Sequence, residues 1–262
     1  MRETILDKLS RTEKERGIDV LYAAESGSRA WGFASSDSDY DCRFIYKRPL
    51  LEYITIGAPK RDVIELPTEQ KLDINGWDIF KALGLLSKSN PNLIEWLFSP
   101  VIYLESGGVA ESMRQYSASY CNERACAYHY LNMAKGNYSR YIKPNPSVQR
   151  KKYLYVLRPL ACLEWIRSNK GFPPVKFTDV LGGISLGCVA DAMNSLLEEK
   201  VLGKEQGPGP HDALLDSYIQ TSLDDFEQWA LSSAVKKTDY KRLNRILHEE
   251  VFGVELQLLN KG

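Results

Sequence analysis

The chain has 262 residues, of which 44% are hydrophobic and 26% are charged. This composition is ordinary for a globular protein and excludes a disordered or collagen-like chain. Basic and acidic residues balance at 34 each, so the molecule is not a polycation, and any contact with a nucleic acid must come from a local patch.

The cysteines and the apolar runs bear on the compartment. The five cysteines are odd in number and include no Cys-x-x-Cys pair, so a disulfide framework is not expected. No apolar run reaches the ~20 residues that a membrane span requires. We therefore expect a reduced, cytoplasmic protein without a membrane segment.

The first part of the chain alternates short β-like runs with turns. A helical segment is predicted over residues 4–14, and strands are predicted over residues 19–24, 42–46, 62–66 and 71–74. Strands mixed with helices indicate an α/β unit.

After residue 75 the pattern becomes helical. Helices are predicted over residues 77–87, 91–98, 111–135, 148–168, 188–201, 212–231 and 240–251, with a glycine- and proline-rich loop over 203–210. We therefore predict an α/β core over residues 1–105, followed by an all-helical domain over residues 106–262.

Three carboxylates are the most informative feature of the sequence. Asp39 and Asp41 are two residues apart at the start of a predicted strand, so they project to the same face. Two carboxylates ~4 Å apart repel by about 4 kcal/mol at an effective dielectric of 20, which a shared proton or a divalent cation would relieve. Asp73 lies in another apolar strand, and three such ligands suit Mg²⁺ or Mn²⁺. The alternative for the pair alone is a solvated turn.

The motifs around these acids resemble a known superfamily. Gly27-Ser28, then Ser38-Asp39-Tyr40-Asp41, then Leu72-Asp73-Ile74 resembles the signature of the DNA polymerase beta nucleotidyltransferases. Further blocks resemble the predicted nucleotidyltransferases associated with RNA repair: residues 74–79, 89–100, 133–138 and 151–159. The resemblance covers residues 20–175, and the last ~90 residues carry no motif of the family.

The resemblance implies a fold and a set of site residues. It implies a polymerase-beta-like mixed sheet with helices, in which Gly27 and Ser28 bind the β- and γ-phosphates of an NTP. It implies that Asp39, Asp41 and Asp73 are catalytic metal ligands. Whether Asp73 is also the base is left open.

A basic window follows in the helical part. Residues 124–163 contain eight Lys or Arg and six Tyr residues but no Asp or Glu, a pattern that favours binding of a polyanion. Lys152, Tyr155 and Arg158 recur at three-residue steps on a predicted helix, and the resemblance includes them, so we expect them to bind the nucleotide. The alternative is a solvated basic face with tyrosines in the core, and an RNA ligand is equally compatible with the spacing.

The sequence thus predicts a nucleotidyltransferase that uses Mg²⁺ or Mn²⁺. It would move an NMP from an NTP, with ATP binding as an expectation, to the hydroxyl of an RNA end, a protein or a small molecule, and release pyrophosphate. One alternative is a sugar-nucleotide transferase that uses the Asp-x-Asp pair, which would not explain Gly27, Ser28 and Asp73. Another is a non-catalytic nucleotide-binding or antitoxin-like module, which should have lost one of the acids.

Overall fold

The computed structural model describes residues 1–57, 62–69, 71–168, 171–203, 207–232 and 235–253. It contains two compact units. Unit 1 comprises residues 1–30 and 39–120 together with the C-terminal segment from residue 237, and unit 2 comprises residues 31–38 and 121–236.

Unit 1 is a mixed α/β structure. Its elements in chain order are α1 (Arg2–Arg16), β1 (Asp19–Glu25), α2 (Gly27–Ala30), β2 (Tyr40–Lys47), α3 (Leu50–Tyr53), β3 (Val63–Glu65), β4 (Leu72–Asp78), α4 (Ile79–Leu86), α5 (Pro91–Leu97), β5 (Ile102–Glu105) and α6 (Val109–Tyr120). The five strands form one sheet in the order β3-β4-β2-β1-β5. Strands β2 and β4 are parallel, and the other neighbouring strands are antiparallel.

Alternation along β2 and β4 separates a core face from a polar face. Cys42, Phe44, Leu72 and Ile74 are buried in the core of unit 1, and this core also contains Ile5 of α1. Because successive strand residues point to opposite faces, the residues between them lie on the other face of the sheet. That second face carries the candidate site.

Unit 2 is built from helices. These are α7 (Glu123–Tyr141), α8 (Lys151–Arg167), α9 (Phe177–Leu181), a 3₁₀ turn (Gly187–Val189), α10 (Ala190–Val201) and α11 (Ala213–Ser232). The chain then returns to unit 1 with α12 (Tyr240–Arg245) and a π-helical turn (Ile246–Val251). Helix α8 is almost wholly buried from Tyr153 onward and forms the centre of the unit 2 core.

The α/β fold class and the four predicted strands are confirmed, with shifts at their ends. Most predicted helices differ from the observed ones by a few residues at their ends, and two of the differences have identifiable reasons. The helix predicted from residue 77 begins at Ile79, because Asp78 ends β4 and caps α4 by accepting a hydrogen bond from the Phe80 amide at 2.9 Å. The helix predicted over 111–135 is divided near Asn122, whose side chain caps α7 by accepting from the Ala125 amide at 3.2 Å.

The remaining predictions concern longer stretches. Strand β5 was not predicted, and residues 204–206 of the predicted loop lie outside the described residues. The predicted domain division after residue 105 stays a prediction. The two compact units meet along the chain after residues 30, 38, 120 and 236 instead. The chain re-enters unit 1 near residue 237. There the Thr238 hydroxyl donates a hydrogen bond to the Ser87 carbonyl at 2.9 Å, and the Asp239 backbone amide donates one to the Tyr116 hydroxyl at 3.2 Å.

Within the described ranges, none of the helices combines the length and the apolar character that crossing a bilayer requires.

Candidate active site

Asp41 and Asp73 lie side by side on the polar face of the sheet. The parallel register of β2 and β4 pairs Asp41 with Asp73, and paired residues on neighbouring strands share a face. Both carboxylates are half-buried. The structure thus brings together two of the three acids singled out in the sequence.

Arg43 joins these two carboxylates. Its Nη2 lies 3.1 Å from Oδ1 of Asp41 and 2.7 Å from Oδ2 of Asp73. The side-chain amide of Asn75 donates a hydrogen bond to Oδ1 of Asp73 at 2.8 Å. Arg43 follows Asp41 by two residues on the same strand and Asn75 follows Asp73 in the same way, so alternation places all four side chains on one face.

Gly27 begins the short helix α2 directly after β1, and its backbone lies against Asp41. Its φ is +62°, a left-handed conformation that favours glycine. A methyl group at this position would lie 2.3 Å from Oδ2 of Asp41. The Ser26 amide also donates to the Asp41 carbonyl at 2.8 Å, and Ser28 is half-buried in α2. The glycine-serine turn is therefore packed directly against an acid of the site.

Asp39 lies in the segment before β2, and its side chain is exposed. Its carbonyl accepts a hydrogen bond from Nε of Arg29 at 3.1 Å, and the Arg29 guanidinium lies 3.7 Å from the centre of the Tyr40 ring. Asp39 is near enough for its charge to raise the pKa of Asp41.

The pKa of Asp41 is raised chiefly by burial, which disfavours the charged form. The Arg43 guanidinium opposes this effect, whereas the charges of Asp73 and Asp39 reinforce it. Repulsion among the acids therefore contributes to the shift, but desolvation is its first cause.

Glu25, which sequence reasoning did not select, supports Asp41 from the neighbouring strand. It is buried at the end of β1, and Oε1 accepts a hydrogen bond from the Asp41 amide at 2.7 Å. The Tyr103 hydroxyl donates to its other carboxylate oxygen. Burial raises the pKa of Glu25, although both hydrogen bonds lower it. The sequence carries a signal for Glu25 in its position at the end of a buried strand, but it gives none for Tyr103, since β5 was not predicted.

The donor set suits a hard cation. Carboxylate oxygens are the ligands that Mg²⁺ and Mn²⁺ prefer, and a cationic group, the Arg43 guanidinium, already fits between Asp41 and Asp73. In the part of the chain that the structure describes, no three His, Cys, Asp or Glu side chains are arranged so that they could hold a metal ion. The fit therefore rests on Asp41 and Asp73, and the exposed Asp39 does not form a three-ligand group with them in the described residues.

The other candidate nucleotide-binding residues lie on α8 of unit 2. Lys152 and Tyr155 are half-buried. Nζ of Lys152 lies 4.2 Å from the centre of the Tyr141 ring and 5.3 Å from that of Tyr155. Arg158 is only 2% exposed, and its guanidinium lies 4.3 Å from the centre of the Trp31 ring. Lys152 and Tyr155 thus reach the surface of unit 2, whereas Arg158 belongs to its interior.

Comparison with known proteins gives a family. The sequence profile of RlaP, the RNA repair pathway DNA polymerase beta family, matches residues 1–249. The protein YcgL of Bacillus subtilis (strain 168), described as uncharacterized, is 40% identical over 249 residues, which span 94% of this chain and 95% of its own. The crystal structure of a nucleotidyltransferase-like protein from Exiguobacterium sibiricum 255-15 covers 88% of this chain and 73% of its own at 12% identity and a TM-score of 0.30.

Proposed function

This chain belongs to the RNA repair pathway DNA polymerase beta family, and on that premise we propose that it is a metal-dependent nucleotidyltransferase. It moves an NMP from an NTP to an acceptor hydroxyl and releases pyrophosphate. The observation that carries the proposal is the pairing of Asp41 with Asp73, with the Gly27 backbone packed against the Asp41 carboxylate.

The chemistry requires a site for phosphates beside a site for a cation. Asp41 and Asp73 would hold Mg²⁺ or Mn²⁺, and Asp39 would complete the ligands only by turning toward them; the ion when bound supplies the Lewis acidity that polarises the α-phosphate and activates the acceptor hydroxyl. Gly27 and Ser28 contribute backbone amides and a hydroxyl for the β- and γ-phosphates. The close approach of the turn to Asp41 supports this division of roles, because the phosphates and the cation must be neighbours.

In the transfer step, the acceptor oxygen forms a bond to the α-phosphorus while the bond from that phosphorus to the bridging oxygen breaks. Pyrophosphate leaves with the electron pair of the broken bond. We assign the hydroxyl proton to Asp73, which lies beside Asp41 and is half-buried. The side-chain amide of Asn75 donates to Oδ1 of Asp73 and thereby fixes its orientation.

Lys152 and Tyr155 are proposed to bind the NTP, and Arg158 to stabilise the helix that carries them. Lysine ammonium groups pair with phosphate oxygens, and the position of Lys152 over two tyrosine rings keeps its charge at the surface of unit 2. Arg158 is buried against Trp31, which favours an indirect contribution to nucleotide binding. The acceptor is proposed to be an RNA end, with a protein hydroxyl as the outcome to be distinguished.

The test is transfer of label from each of four NTPs that carry ³²P at the α-position, in the presence of Mg²⁺ or Mn²⁺. Total RNA and cell protein are offered separately as acceptors, and pyrophosphate is measured in parallel. The proposal expects label in RNA, pyrophosphate in equal amount and loss of both with Asp41→Asn. The matched control is Asp19→Asn, an exposed acid at the far end of β1, which should transfer normally. Label in protein would reassign the acceptor, and an absence of transfer from all four NTPs would contradict the proposal.

A further inference from the structure

Arg43 is held by more contacts than a surface ion pair requires. Nη2 contacts the carboxylates of Asp41 and Asp73, as described above. Nη1 donates to the Cys42 carbonyl at 3.1 Å and to the Asp73 carbonyl at 3.3 Å. The side chain is 17% exposed. The guanidinium is therefore fixed between the two acids by four acceptors on two strands.

This position is the one that a cation shared by Asp41 and Asp73 would need. Two half-buried carboxylates on paired strands repel each other, and a guanidinium between them offsets that repulsion. A divalent cation at the same oxygens would lie next to the guanidinium, and the two positive charges would repel. Arg43 and the metal therefore compete for the same pair of carboxylates.

We propose that Arg43 is a built-in competitor of the divalent cation, which holds Asp41 and Asp73 together in the absence of metal and must leave them before both can ligate it. This inference rests on the proposed function. A bound NTP supplies phosphate oxygens, which are alternative bidentate partners for a guanidinium. Binding of metal and binding of nucleotide are then coupled, because the nucleotide draws Arg43 away from the acids.

The experiment measures Mn²⁺ affinity directly, by the electron paramagnetic resonance signal of free Mn²⁺, without nucleotide. The variant is Arg43→Gln, which removes the charge. The matched control is Arg114→Gln, because Arg114 is also 17% exposed and also pairs with two carboxylates, those of Glu105 and Glu111. Arg43→Gln should bind Mn²⁺ roughly tenfold more tightly than the unaltered protein, equivalent to about 1.4 kcal/mol, whereas Arg114→Gln should bind it equally.

A second arm repeats the titration with a non-hydrolysable NTP analogue. With the analogue bound, Arg43→Gln should exceed the unaltered protein in Mn²⁺ affinity by a smaller factor. The reason is that the guanidinium of the unaltered protein has then already moved to the phosphates. Circular dichroism checks folding, and Mn²⁺ should raise the melting temperature of Arg43→Gln more than that of the unaltered protein. If Arg43→Gln does not fold, Arg43→Lys replaces it, with a smaller gain in affinity expected from a single point charge that cannot span both acids.

The outcomes separate this inference from the proposed function. Equal or weaker Mn²⁺ binding by the Arg43 variant, with binding still lost in Asp41→Asn, overturns the inference alone. No Mn²⁺ binding by any variant, with or without the analogue, overturns both. Tighter binding by Arg43→Gln supports the inference, and transfer of label is then scored separately.

Discussion

The backbone of Gly27 lies so close to the carboxylate of Asp41 that no side chain fits between them. An added Cβ would be 2.3 Å from Oδ2 and 3.1 Å from Cγ of Asp41. The turn and the acid are therefore parts of one arrangement. A change at residue 27 must move a carboxylate that sequence and structure both place in the candidate site.

We expect Gly27→Ala to lower transfer activity at least roughly tenfold. The methyl group strains the left-handed backbone, which costs about 1–2 kcal/mol, and in addition displaces Asp41. The measurement is kcat and KM for NTP together with the melting temperature. The matched control is Gly17→Ala, because Gly17 has the same φ of +62° but no atom within 4 Å of the added methyl group. Gly17→Ala should lose stability from strain alone and keep its activity. Equal activity losses in the two variants would contradict a specific role for the contact with Asp41.

Asp41→Asn should abolish transfer without unfolding the protein. We expect kcat to fall by roughly two to three orders of magnitude, as when one electrostatic contact to the reacting group is removed. Stability should change little, because burial raises the pKa of Asp41 and the neutral amide avoids that cost, while loss of the charged contact with Arg43 acts in the opposite direction. Initial rates and thermal unfolding at neutral pH measure the two effects. A melting temperature far below that of the unaltered protein would show a structural role instead.

Much of the site was predictable because strand alternation is a local property. The place of Asp41 in a predicted strand and the apolar neighbours of Asp73 are enough to predict strands with these two acids on one face, whereas Asp39 lies before β2 and is exposed. Arg43 follows the same rule and could have been selected from its spacing. Tyr103 could not, because β5 has only four residues and its place beside β1 depends on a long-range pairing that no local pattern encodes.

The helical part shows the opposite limit. The three-residue steps along α8 indicated one common side for Lys152, Tyr155 and Arg158. Helical spacing predicts which side chains project from the same side of the helix axis, but it does not predict which side of the helix packs against the core. Arg158 is buried because Trp31, which precedes it by more than a hundred residues, packs on its guanidinium.

Lys152→Ala should raise the KM for NTP with little change in stability. Loss of a charge-assisted phosphate contact costs about 1.5–3 kcal/mol, equivalent to a roughly 10- to 150-fold fall in kcat/KM. The cation–π contacts with Tyr141 and Tyr155 should contribute only about 0.5–1 kcal/mol, because the half-buried Lys152 still reaches the surface of unit 2. Steady-state kinetics and thermal unfolding check both parts. A normal KM for NTP together with lost binding of an RNA acceptor would reassign Lys152 from the nucleotide to the acceptor.

Arg158→Ala should instead destabilise unit 2. Its guanidinium is buried on Trp31 and donates to the Val175 carbonyl at 3.4 Å, so truncation removes packing as well as a desolvated cation–π contact of about 2 kcal/mol. The matched control is Arg140→Ala, because Arg140 is exposed and lies 5.2 Å from the centre of the Tyr141 ring; its loss should cost about 0.5 kcal/mol. Denaturant unfolding compares the two. Equal stability of both variants would mean that the burial of Arg158 contributes nothing to the fold.

The last prediction concerns pH and His211, which connects two segments of unit 2. Nδ1 lies 2.6 Å from a carboxylate oxygen of Asp216, and Nε2 lies 2.8 Å from the Asn145 carbonyl. Both partners are acceptors, so both ring nitrogens donate only when the imidazole is protonated. The Asn145 carbonyl first, and then Asp216, raise the pKa of His211 above its ordinary value of 6.5.

A raised pKa in the folded state means that the folded protein binds the proton more tightly than the unfolded chain. The stabilisation by His211 is then fully present below pH 6.5 and is lost as pH rises through the folded-state pKa. His211→Gln should therefore lower the melting temperature at pH 5.5–6, and this difference should disappear toward pH 9, because the neutral ring can no longer donate to both acceptors. Melting curves across this range, with an NMR titration of the imidazole, make the measurement. In an Asp216→Asn background, the melting temperatures of the His211 protein and of His211→Gln should differ less. A difference in melting temperature that grows with pH would contradict the assignment of a protonated ring.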